Sequence, residues 1–247
     1  MSTYLIRKLE HFTALSGDDK QALERAAGLN VRHLGRGEDI VHEGDQPRQV
    51  NLILDGWAYR YKTLEDGRRQ IAAFLLPGDL CDMRMFLLKQ MDHSVGAVSP
   101  VTVAQIPRDT ILNLIDLHPR VSRALWWTSL VDESIQREWT TNLGQRDAVE
   151  RMAHLFCEVF VRLRTVGLTH GNSCDLPVTQ SELGDATGLS TVHVNRTLQE
   201  LRARALIALK GKTLTIPDLE ALQDTALFNP AYLHLDRDGR EFDANDG

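Results

Sequence analysis

Long apolar runs are missing from this 247-residue chain, and no window approaches the roughly 18 consecutive apolar residues that a membrane-spanning helix requires. The opening MSTYLIRKLEHF also lacks a basic stretch followed by an apolar core and a small-residue cleavage site, so the expected location is the cytoplasm. Cysteine is scarce: Cys81, Cys157 and Cys174 are odd in number and form no CxxC pair. That argues against a disulfide framework or a zinc knuckle, and idle buried thiols with no metal are the expectation. A basic excess is missing too, since the formal net charge of −6 excludes a uniformly basic coat for nucleic acid. No nucleophile, base and orienting group form a set, not even in CDMRMFLLKQMDH, so catalysis is not expected.

What is present is unevenly distributed. From Gly188 to Pro217 five basic residues stand against the single acid Glu200, whereas from Asp218 to Gly247 eight acids stand against two arginines. A basic island therefore adjoins an acidic tail. Hydrophobic residues make up 43% of the chain, enough for a sizeable core in one large or two smaller domains.

Periodicity divides the chain further. Ser16 and Asp19 stand at capping-box spacing ahead of Leu23, Ala26 and Ala27, which predicts a short helix. From about residue 31 to 107 brief apolar runs alternate with glycines, the pattern of an antiparallel sandwich or roll. Within it, Trp57, Tyr59, Arg60 and Tyr61 divide between core and a pocket or the surface. After Pro107 no glycine occurs before Gly144, and Pro119 marks a helix start. Val121, Leu125, Thr128, Val131, Ile135 and Trp139 follow at steps of three and four. Such a seam fits a helix-to-helix dimer contact, with packing on the chain's own roll as the alternative or in part alongside it.

The stretch TGLSTVHVNR, residues 187 to 196, interrupts two helical runs. Thr179 and Glu182 are spaced as a capping box for the first helix, Gly188 suits a left-handed end, and Ser190 can cap a second helix running to about Arg204. Helix, glycine turn and helix form a helix-turn-helix, whose second helix enters the DNA major groove with its N-terminal residues at base edges. Asn195 suits adenine and Arg196 suits guanine, while Thr191, Val192 and His193 occupy the tip. Thr179, Ser181, Ser190, Lys210 and Lys212 suit phosphates, the lysines lying on a predicted hairpin that serves as a wing.

With both halves in view, the chain resembles the Crp/Fnr (catabolite-activator and fumarate-nitrate-reduction) family of bacterial transcription regulators over about residues 10 to 220. The resemblance is carried by RGEDIVHEGD (36–45), LILDGWAYRYKTLEDGRRQIAAFLLPGDL (52–80) and TQSELGDATGLSTVHVNRTLQELRARALI (179–207), in that order. It implies an α+β fold with an N-terminal antiparallel β-roll, a jelly roll of the cyclic-nucleotide-binding kind, over 1–118. A central dimerisation helix over 119–144, a winged helix-turn-helix over 145–220 and an acidic tail over 221–247 complete the expected order. It further implies a homodimer on palindromic double-stranded DNA, with RNA polymerase as a further partner and no membrane. Family members commonly carry glutamate at the second position of the recognition helix; Val192 stands there, so a different operator is expected.

The effector is a separate question. The family's ligand region corresponds to residues 77–97, with Gly78, Asp79, Leu80, Cys81, Asp82, His93 and Ser94 as the candidate pocket. Where cyclic-AMP-binding members use an arginine before a serine or threonine to hold the phosphate, this chain has His93 before Ser94, so the bidentate clamp is missing. Cyclic AMP is therefore not expected. The cysteine cluster of iron–sulfur members is absent, and Met83 stands where the haem-bearing member has a histidine, so no cofactor is expected. The roll either binds an unidentified small molecule or works without one.

Overall fold

The computed structural model describes residues 3–81, 83 and 87–235. The chain forms two units, one of Met1–Arg60, Phe74–Ile135 and Ala231–Gly247, the other of Tyr61–Ala73 and Gln136–Pro230.

The first unit opens with α1 (Thr3–Leu9) and α2 (Gly17–Ala27). The Ser16 hydroxyl and the Asp19 carboxylate satisfy each other's backbone amides at the start of α2, as the spacing predicts. Eight strands follow: β1 (Val31–Leu34), β2 (Asp39–Val41), β3 (Gln49–Asp55), β4 (Ala58–Thr63), β5 (Arg69–Leu75), β6 (Leu80–Cys81), β7 (Ser94–Ala97) and β8 (Val101–Pro107); the Tyr61–Ala73 part of the β4–β5 hairpin belongs to the second unit. They form two sheets of order β1-β8-β3-β6 and β2-β7-β4-β5, an antiparallel roll. Strand β3 is buried from Val50 through Leu54, which explains its apolar run; the one polar residue in it, Asn51, accepts from the Gln105 side chain. Between β3 and β4 the chain reverses at Gly56, whose φ is +77° and where a Cβ would lie 2.1 Å from the Pro100 carbonyl oxygen. No other residue fits both constraints. Trp57 and Tyr59 are buried, and Trp57 lies tilted against Phe74, so these aromatics belong to the core.

Helices α3 (Arg108–Leu117) and α4 (Pro119–Gln145) follow. Here one expectation is corrected. Val121, Leu125, Thr128, Val131, Ile135 and Trp139, the expected partner-facing seam, are each 5% exposed or less within the chain itself. Val121 and Leu125 join the core of the roll, and the Trp139 indole donates to the Glu158 carboxylate at 3.1 Å. The apolar stripe is thus used by its own subunit, and the exposed face of α4 lies one position over, at Trp126, Leu130, Glu133, Arg137 and Thr140. Trp127 turns inward between Phe12, stacked at 5.8 Å, and His234.

The second unit is built on α5 (Ala148–Thr165), capped by Asp147 and Glu150. Strands β9 (Thr169–His170) and β10 (Ser173–Asp175), helices α6 (Gln180–Thr187) and α7 (Thr191–Ala203), strands β11 (Ala208–Lys210) and β12 (Thr213–Thr215), and α8 (Leu219–Ala226) complete it. The strands form one sheet of order β11-β12-β10-β9. The reading of residues from 221 onward as an acidic tail is corrected in part: α8 packs on α5 and buries Leu222 and Ala226 completely. Residues 236–247 of that tail lie outside the described residues.

Cys81, Cys157 and Cys174 are buried and in no disulfide. Burial pushes Cys157 up to about 12 and, with a contribution from the Asp175 charge, Cys174 to the same value. Both stay protonated at neutral pH and pack as small apolar groups.

His154 is fully buried in α5 beside Glu138 and against the edge of Phe228. Arg146 donates to the same Glu138 oxygen at 2.7 Å and already neutralises it. Burial, then the Arg146 charge, hold the imidazole neutral down to about pH 3. The unfolded chain takes up a proton below its ordinary value of about 6.5 while the folded chain does not, so stability is lost as pH falls from 6.5 toward 3. Between pH 7.5 and pH 5 the loss from this residue is about 2 kcal/mol. Urea unfolding at the two pH values checks this: the His154→Leu variant loses correspondingly less than the wild type.

Candidate DNA-binding interface

The interface is built on α6 and α7. At the start of α6 the Thr179 hydroxyl accepts from the Glu182 amide, and the Glu182 carboxylate accepts from the Thr179 amide at 2.7 Å. The helix ends at Gly188, whose φ of +67° is the left-handed conformation expected of it. The turn is tight because α6 allows it: the amides of Gly188 and Leu189 both donate to the Gly184 carbonyl. A Cβ on Gly184 would come within 2.6 Å of the Leu189 carbonyl oxygen, so a side chain there pushes the turn apart. Ser190 then caps α7 by accepting from the His193 amide.

Packing decides which side of α7 faces out. Val194, Thr197, Leu198 and Leu201 are buried, at spacings of three and four. The opposite side presents Thr191, Val192, His193, Asn195, Arg196 and Gln199 to solvent. Thr191, Val192, Asn195, Arg196 and Gln199 line one concave patch. Gln199, a full turn beyond Asn195, joins the five that the sequence points to; it lies past the helix tip, where the helix-turn-helix pattern places the base-edge residues.

The phosphate candidates flank this face. Thr179, Ser181 and Ser190 are exposed at the two helix starts. Lys210 and Lys212 are exposed at the β11–β12 hairpin, whose two-residue turn begins with Gly211 at φ +60°. β11 and β12 are extended by β10 and β9, where the sequence read only a loop.

Two positioning groups escaped the sequence reading. Arg151 of α5 donates to the carbonyl oxygens of Thr187 at 2.7 Å, Arg146 at 2.9 Å and Asn142 at 3.1 Å, fixing the C-terminal end of α6 to the helix beneath it. Arg69, from the tip of the β4–β5 hairpin, holds Asp185 of α6 through Nε at 2.9 Å and Nη2 at 2.7 Å, with its guanidinium over the Tyr61 ring. Gln70 and Gln136 add bonds to the Ala186 and Ala72 carbonyls.

The effector candidates are placed differently. Gly78 turns at φ +94° directly against the backbone of Tyr4, where a Cβ would lie 2.9 Å away. Asp79 accepts from the Leu76 amide at 2.8 Å and pairs with Lys8 at 2.7 Å. Leu80 and Cys81 are buried core residues. His93 is held by Asp92 at 2.6 Å, and the buried Ser94 hydroxyl accepts from the Glu43 amide. These groups therefore hold the roll together, and Asp82 lies outside the described residues. Among the described residues there is no cluster of metal ligands, and no helix is long and apolar enough to cross a membrane.

Comparison with known proteins agrees with this geometry. Residues 31–118 match the cyclic nucleotide-binding domain and residues 150–225 the Crp-like helix-turn-helix domain. The nitrogen fixation regulation protein FixK of Bradyrhizobium diazoefficiens is 30% identical over 76% of this chain and 81% of its own length. The transcriptional activatory protein AadR of Rhodopseudomonas palustris is 30% identical over 83% of both. Among solved structures, FixK2 of Bradyrhizobium japonicum superposes with a TM-score of 0.71 at 24% identity, over 79% of this chain and 96% of that one. Roll, long helix and winged helix-turn-helix in this order, with the matched domains in their places, make the chain a member of the Crp/Fnr family of DNA-binding transcription regulators, which are not enzymes.

Proposed function

We propose that the protein acts in the cytoplasm as a homodimer, places one α7 in each of two major grooves of a palindromic operator, and acts on transcription through RNA polymerase. One observation carries this reading: α7 buries Val194, Leu198 and Leu201 and turns Asn195 and Arg196 outward beside two exposed wing lysines. Asn195 can donate to and accept from adenine at N7 and N6, and Arg196 can donate twice to guanine, each pairing giving about 1–3 kcal/mol of discrimination. Lys210 and Lys212 neutralise phosphates and set register without reading sequence. Relatives named as transcriptional activators support a polymerase contact.

The dimer contact follows α4. Trp126 is 63% exposed and Leu130 50%, an apolar pair at a spacing of four followed by Glu133 and Arg137. An exposed tryptophan and leucine on a long helix fit a second copy of the same helix better than water. Control by cyclic AMP is not part of the proposal. The place of the phosphate-binding arginine holds His93, engaged with Asp92, and Asp79 is engaged with Lys8. With no cofactor, the roll alters the α4 contact either when an unidentified small molecule binds to it or through a fixed geometry.

Gel-shift titration against selected palindromes checks the reader assignment. Arg196→Ala relaxes preference at one base pair per half-site and costs roughly 1–3 kcal/mol there. Lys212→Ala weakens all duplexes alike and lowers the salt slope by about one per subunit. Sedimentation checks the dimer: Trp126→Glu sediments as a monomer at concentrations where the wild type is dimeric, with unchanged circular dichroism.

A further inference from the structure

Val192 stands at the second position of α7, 71% exposed, among side chains that can all hydrogen-bond. A lone exposed apolar residue is ordinary on a protein surface. This one shares its helix face with Asn195 at i+3, Arg196 at i+4 and Gln199 at i+7, and it lies opposite the buried Val194. If Asn195 and Arg196 reach base edges, Val192 meets one as well, because recognition helices present their N-terminal residues to the bases.

Its chemistry then restricts what it can meet. A β-branched side chain in a helix is nearly fixed in one rotamer and has neither donor nor acceptor. In the major groove only thymine offers an apolar group, its 5-methyl; guanine, adenine and cytosine offer acceptors and amino groups that valine would strip of water without replacing the bond. Both the attraction and the penalty favour the same base. We infer that Val192 is a specificity residue that reads the 5-methyl group of one thymine in each operator half-site. This rests on the proposed reading of α7 as the recognition helix and adds to it the chemistry of one operator position.

Deoxyuridine provides the test, since it keeps every hydrogen bond of thymine and lacks only the methyl. A palindromic duplex selected with the full-length protein is resynthesised with deoxyuridine replacing one symmetric pair of thymines at a time, and dissociation constants are measured. Burial of one methyl predicts about a fourfold weakening per half-site at a single position, about sixteenfold for the pair. The same replacement has a smaller effect on Val192→Ala, which keeps only the β-carbon of the apolar contact and whose fold is safe because the residue is exposed and alanine favours a helix. Val192→Glu shifts the preferred base at that position from thymine to cytosine, whose amino group a carboxylate accepts from. Uniform tolerance of deoxyuridine by the wild type, or an equal loss in Val192→Ala, overturns the assignment while leaving the recognition helix in place. A protein that selects no duplex at all overturns the recognition helix itself.

Discussion

The burial of Val194, Leu198 and Leu201 is the constraint on which the binding face depends. A helix has one orientation about its axis once an apolar stripe is fixed, and everything at 180° to that stripe is then exposed. Three fully buried aliphatic side chains contribute roughly 1.5–3 kcal/mol each, more than any single polar contact at the surface can offset. Asn195 and Arg196 therefore face outward because of residues that never touch a ligand. Gly184, Gly188 and Arg151 serve the same end by fixing where the helix begins. A shift of one residue along α7 would turn each reader by about 100° and lose the pattern.

The two families of elements differ in how much of them the sequence exposes. The roll was legible because its turns need glycine: Gly37, Gly44, Gly56, Gly67 and Gly78 all have positive φ, and they separate the strands in the sequence as they do in space. The helix-turn-helix was legible because Thr179, Glu182, Gly188 and Ser190 are a capping box, a left-handed end and a second cap at one fixed spacing. Strands of two and three residues, β9 and β10, carry too few positions for a period and were read as a loop. Acidic composition hid α8, in which two buried residues decide the packing.

Helix α4 failed in a more instructive way. Two stripes at helical spacing run along it, one through Val121, Leu125 and Thr128 and the other through Trp126, Leu130 and Glu133. A heptad template accepts the more apolar one, and nothing in the spacing says which of the two the chain keeps for itself. The more apolar stripe is the one the roll buries, as a single subunit with a large core requires. The contacts of Arg151 with Thr187 and of Arg69 with Asp185 span 36 and 116 residues, distances over which no local pattern carries information.

The charge distribution bears on how such a chain discriminates. Affinity for any duplex comes mainly from phosphates neutralised by lysine and arginine, and it is the same for every sequence. Here the net charge is −6, but the stretch from Gly188 to Pro217 that holds α7 and the wing has five basic residues against one acid, so attraction to a duplex is favoured there. Beyond about 8 Å at physiological salt the opposing acidic charges are largely screened. In the proposed reading, selectivity comes from the outward face of α7 and the packing that orients it.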